Sequence, residues 1–162
     1  QYRHILKRST KNMPAMKNYL TAAIFALTGS FAVAQNNLPA TPNPSNLAEA
    51  AGLYAGATVL TKTVKSSSCG FAVSREVPPL SVVARNDIVP QFPRDRQEEV
   101  YQALLKLEPD MIRTGSATFS YLYNHYTKNE GLDHRTACGF VASAAISTQK
   151  LAKEAMTRMA VR

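Results

Sequence analysis

The stretch DHRTACGFVASAAISTQKLAKEAMTRM, Asp133 to Met159, decides the fold class. Asp133 is a favoured residue for capping a helix start. Ala137, Val141, Ala144, Thr148, Leu151, Ala155 and Met159 then recur at spacings of three and four, the period of one helical face. Many of these side chains are small. Small residues let a second helix approach closely, which suits the central helix of a bundle. No stretch alternates apolar and polar residues over a useful strand length. The expected fold is all-α, a small bundle of four or five helices.

Upstream of this stretch, Asn129 and Gly131 end a preceding helix in the usual C-terminal manner. That helix is expected over Asp110 to Lys128, with Ile112, Phe119, Leu122, Tyr123 and Tyr126 on a broad apolar and aromatic face. Pro109 is expected to stop the helix before it and to open this one as its first residue. The earlier helix starts at Asp95-Arg96-Gln97-Glu98, a relative of the capping box, and carries Val100, Leu104 and Leu107. Pro78 to Pro93 holds four prolines and reads as an irregular crossing with about one turn of helix or a short extended piece. CGFAVSREV, after the break Ser66-Ser67-Ser68, reads as a short helix ended by Pro78-Pro79. The first long helix is Leu47 to Lys65, capped by Ser45 or Asn46, with Glu49 in the first turn. Its expected buried stripe is Leu47, Ala51, Tyr54 and Thr58. Gly52 and Gly56 lie one helical turn apart and share a face. Glu49, Lys62 and Lys65 argue against a membrane dimerisation motif there.

The N-terminal part has a different character. Met16 to Gln35, MKNYLTAAIFALTGSFAVAQ, has a positive charge at Lys17, an apolar run and Ala32-Val33-Ala34 before Gln35. These are the three parts of a secretory signal peptide at 16–34. The apolar run is shorter than the roughly 20 residues that cross a bilayer, so no stable span is expected after cleavage. Residues 1–15 are then upstream or non-native sequence, residues 35–46 a proline-rich flexible leader, and residues 47–162 a single helical domain. Removing the leader peptide changes the charge argument. Five of the 19 Lys and Arg precede Gln35 and none of the 11 Asp and Glu do, which leaves 14 against 11, about +3. The remaining basic residues are interleaved with acids, as in DRQEE, so nucleic acid is not expected as a partner.

The two cysteines, Cys69 and Cys138, stand 69 positions apart, and each is followed by Gly-Phe. Zinc sites usually present closely spaced pairs, and thioredoxin-type chemistry needs C-x-x-C. Neither spacing is present, so no metal or cofactor is expected. An exported chain usually commits two cysteines to a disulfide, so a Cys69–Cys138 bridge is expected, pinning the early segment onto the last helix. A second reading stays open beside it. Shifting the chain by 69 positions superposes Leu53-Tyr54 on Leu122-Tyr123 and one Cys-Gly-Phe on the other. A diverged helical duplication would put Phe71 and Phe140 in the core and use each glycine to admit a backbone near the sulfurs.

No nucleophile elbow, phosphate loop or zinc-protease motif is present, and the carboxylates sit where helix starts want them. No catalytic residue is expected; Cys138 with His134 is the one pairing that a thiol enzyme would use. Tyr121, with Arg113 and His125, is the expected partner surface, because tyrosine beside arginine is common where proteins recognise one another. The functional expectation is a small exported protein, periplasmic or extracellular, acting by protein–protein binding as an inhibitor, immunity or accessory protein. The rival expectation is a structural subunit of an envelope or secretion assembly, tethered by its proline-rich leader.

Overall fold

Leu47–Ser66 forms a helix, α1, whose middle, Ala50 to Thr61, carries no charge on any side. A helix of that composition is stable only when it is enclosed. In the computed structural model, which describes residues 43–160, twelve consecutive residues of α1, Ala50 to Thr61, are buried. The most enclosed helix of the bundle is therefore the first long one, and the last packs closely on it. The expected signal peptide at 16–34, the segment 1–15 and the leader through residue 42 lie outside the described residues, as do residues 161–162.

Asn46 caps α1: its Oδ1 accepts from the Glu49 amide at 2.9 Å, and Glu49 Oε2 accepts from the Ser45 amide at 2.8 Å. The first bond satisfies an amide that the first turn leaves without a partner, and the second ties the carboxylate to the residue before the cap. The Ser45 hydrogen bonds also hold the Glu49 carboxyl below its ordinary pKa. Thr58 and Thr61, both buried, donate to the carbonyls of Tyr54 and Ala57 at 2.8 and 2.7 Å. Among the described residues no buried side-chain nitrogen or oxygen lacks a partner.

After α1 the chain makes one 3-10 turn, Gly70–Ala72, where CGFAVSREV was expected to form a short helix. The Pro78–Pro93 region is more regular than its prolines suggest. Helix α2, Leu80–Val83, continues as wide and tight helical turns through Gln91, with Leu80, Val83, Ala84 and Ile88 buried. Helix α3, Gln97–Asn124, runs for 28 residues straight through Pro109. Pro109 is exposed, so the hydrogen bond it cannot donate is lost on the solvent side. Val100 and Leu104 before it, and Met111, Gly115 and Leu122 after it, are buried on one face, and that packing keeps the helix continuous across the proline. Asp95 does not cap α3; the cap position is Arg96, and the helix follows a 3-10 turn at Arg94–Arg96.

Gly131, at φ 66°, turns the chain, and the Leu132 amide closes on the Tyr126 carbonyl at 3.0 Å. Asp133 then starts α4, His134–Ala160, accepting from the Thr136 amide at 3.1 Å and hydroxyl at 2.7 Å. The buried face of α4 is rotated from the expected stripe. Ala137, Val141 and Ala155 of that stripe are buried, but Cys138, Ala142, Ala145, Gln149, Ala152 and Met156 complete the inner face, and Leu151 is 41% exposed. Close packing on α1 favours alanine over the larger leucine. α3 and α4 each pack mainly on α1 and touch each other far less. The core divides accordingly into one cluster around Leu53, Leu80, Ile88, Leu104 and Met156, and a second around Leu60, Val64, Leu122, Val141 and the two cysteines. The architecture is a small all-α bundle stapled by one disulfide.

Candidate functional site, the aromatic end of the bundle

Cys69 and Cys138 are joined, with their Cα atoms 5.1 Å apart, and both are fully buried in the second core cluster. Cys69 follows the last turn of α1, where the Ser67 hydroxyl accepts from its amide at 3.0 Å. Cys138 lies in the second turn of α4. The bridge thus ties the exit of the central helix to the start of the last one, and Cys138 offers no thiol for the pairing with His134.

Around the bridge, aromatic rings from four places in the chain meet in two ladders. In the first, Phe71 packs edge-on against His134 at 5.9 Å, His134 against Tyr123 at 5.7 Å, and Tyr123 stacks on Phe119 at 5.9 Å. The Tyr123 hydroxyl lies 2.8 Å from His134 Nδ1, and the same imidazole lies 3.7 Å from the Cys138 sulfur. In the second ladder, Phe140 stacks on Tyr126 at 5.1 Å, Tyr126 meets His125 at 5.5 Å, and His125 stacks on Tyr121 at 6.4 Å. Burial, with Glu130 nearby, pushes the Tyr126 hydroxyl above its ordinary pKa, so it stays protonated. His125 Nε2 lies 3.5 Å from Glu130 Oε1.

Each ladder ends on one phenylalanine of a Cys-Gly-Phe triplet, and these ends face solvent. Phe71 is 57% exposed, Phe140 50% and Tyr121 41%. The duplication reading expected both phenylalanines in the core, and they are not there. Nor are the two triplets related helices: Gly70 and Phe71 lie in a 3-10 turn, Gly139 and Phe140 inside α4.

Of the expected partner residues, Tyr121 and His125 are brought together. Arg113 pairs with Asp110 on its own helix. Tyr123, which the sequence groups with Tyr121 and Tyr126, stands in the first ladder, whereas Phe71, Phe140 and His134 were not expected on this surface. Among the described residues no group of His, Cys, Asp and Glu could hold a metal ion, and no helix is long and apolar enough to cross a membrane. What the arrangement offers chemically is contact: buttressed rings with imidazole and phenol edges. No protein-family model, curated protein or solved structure matches the chain, so the site is read from its own geometry.

Proposed function

We propose that this is an exported helical protein that acts by binding another protein through the aromatic end of the bundle. The observation that carries the reading is the exposure of Phe71, Phe140 and Tyr121 on ring ladders packed against the core cluster that holds the disulfide. Large apolar rings held in place by their neighbours bury area on a partner at little cost in ordering, and such residues dominate binding energy. Export is supported by the signal-like segment at 16–34 and by the disulfide, which persists in oxidising compartments. An inhibitor, immunity or accessory role suits a surface with no catalytic constellation.

The test is a comparison of captures. Immobilised wild type, a Phe71→Ser/Phe140→Ser variant and an Ile112→Ser control are exposed to exported-protein extract at low salt. The expected result is a small set of proteins held by wild type and control and lost by the double variant. Equal capture by all three would refute the aromatic end as the binding surface. Recovery of one large sedimenting assembly, lost with the double variant, would instead favour the structural-subunit role.

A further inference from the structure

A second feature, away from the disulfide, is a cleft of about 480 Å³ between the Arg75–Pro78 segment, the turn holding Val83 and Asp87, and α4 from Ile146 to Lys153. Its volume falls in the range of small-molecule sites. Its walls combine apolar side chains, Val77, Pro78, Val83 and Ile146, with basic groups from two elements, Arg75, Lys150 and Lys153. Two acids also line it, Asp87 and Glu76. Asp87 is already committed: Oδ1 takes Lys153 Nζ at 3.0 Å and Oδ2 accepts from the Tyr54 hydroxyl at 3.0 Å. Burial and Asp87 together raise the Tyr54 pKa, so that hydroxyl remains a donor.

Arg75 is held in an unusual way. Its Nη2 donates to Gln149 Oε1 at 2.7 Å, and the Gln149 amide donates in turn to Thr58 Oγ1 at 2.7 Å. The Thr58 hydroxyl passes the chain to the Tyr54 carbonyl inside α1. Gln149 is only 8% exposed, and both ends of its amide are used. A buried neutral relay rooted in the central helix therefore orients a guanidinium at the cleft without neutralising it. Among the described residues neither Arg75 nor Lys150 is paired with a carboxylate. A guanidinium has five N–H donors in a flat fork that matches a carboxylate in two-point fashion.

We infer that this cleft is a binding site for a small organic carboxylate, whose carboxylate docks on Arg75 with Lys150 beside it and whose apolar body lies against Val77, Val83 and Ile146. The inference is independent of the aromatic end and of the role proposed for it. The fork supplies orientation, the lysine adds charge, and the apolar wall selects organic acids over inorganic anions.

The test is a titration of the folded protein with 3-phenylpropionate, its neutral amide and inorganic phosphate, followed by backbone amide shifts. The expected result is saturable shifts at residues 75–78 and 146–150 with 3-phenylpropionate, and binding at least tenfold weaker for the amide and for phosphate. Arg75→Gln should weaken binding at least tenfold and Lys150→Gln about threefold, while Lys106→Gln, outside the cleft, leaves it unchanged. Lys150 is exposed, so its variant remains informative if Arg75→Gln loses the fold. No saturable shift, equal binding of the amide or of phosphate, or indifference to both cleft variants would overturn the site.

Discussion

Ser68-Cys69-Gly70-Phe71 and Ala137-Cys138-Gly139-Phe140 differ in one residue, and the bundle uses them in different ways. In the first, a Cβ placed on Gly70 would overlap the carbonyl oxygen of Lys65, so the chain can leave α1 and reach the bridge only with glycine there. In the second, a Cβ on Gly139 meets nothing within 4 Å, because that residue sits on the outer face of α4. The glycine that matters is the one where the backbone folds back on a helix end. The cysteines share one bond and the phenylalanines share an environment, half in water at the ends of two ring ladders. The two like stretches are carried by two different backbones, a 3-10 turn and a helix.

The largest expected effect removes what the triplets share. Cys138→Ser deletes a bridge spanning 69 positions, for which the chain-entropy model gives about 4 kcal/mol. Thermal melts should show a large drop for this variant, a similar one for Cys69→Ser, and no further drop when both are combined. A melting temperature indifferent to reductant would contradict the stapling role. Next comes Gly70→Ala, where relief of the overlap with Lys65 must shift backbone; overpacking of that kind costs roughly 1–3 kcal/mol. Gly139→Ala should act in the opposite sense. Inside a helix and with open space around it, the alanine should stabilise by roughly 0.5–1 kcal/mol, readable by urea denaturation.

The smallest effect concerns the turn that launches the second triplet. Hydrogen bonds from the Thr136 hydroxyl and then its amide hold the Asp133 carboxyl below its ordinary pKa. A lowered folded-state pKa means that the stability from this cap is fully present above the usual aspartate range. It fades as pH falls through the lowered value. Melts of wild type and Asp133→Ala should therefore differ near neutral pH and converge as acid is added from about pH 4 downward. A gap that stays constant through that range would show that the cap works without its charge.

Much of this was legible before the structure. Ser45 or Asn46, and Asp133, are cap candidates readable from residue type, and Asn46 and Asp133 start α1 and α4 where expected. Pro109 was not legible as an interior residue, because local chemistry disfavours it and only the buried face running from Val100 to Leu122 keeps α3 whole. The phase of α4 was lost for a related reason. Periodicity alone gave weight to Leu151, whereas close approach to α1 selects the alanines at 142, 145 and 152. A better anchor was present in Cys138. Once it must face the bridge, Phe140 lies about 200° around the helix and His134 about 40° away, at 3.6 residues per turn. That phase points Phe140 outward and sets His134 over the sulfurs, as observed. The cleft relay from Arg75 through Gln149 to Thr58 joins residues up to 91 positions apart, and no local pattern announces it.

The claim that near-identical triplets do different structural work is tested most directly by one pair of melts, Gly70→Ala beside Gly139→Ala, each against wild type. The account predicts shifts of opposite sign, a lower melting temperature for Gly70→Ala and a higher one for Gly139→Ala. Shifts of the same sign and similar size would mean that the two glycines do equivalent structural work and would contradict the account.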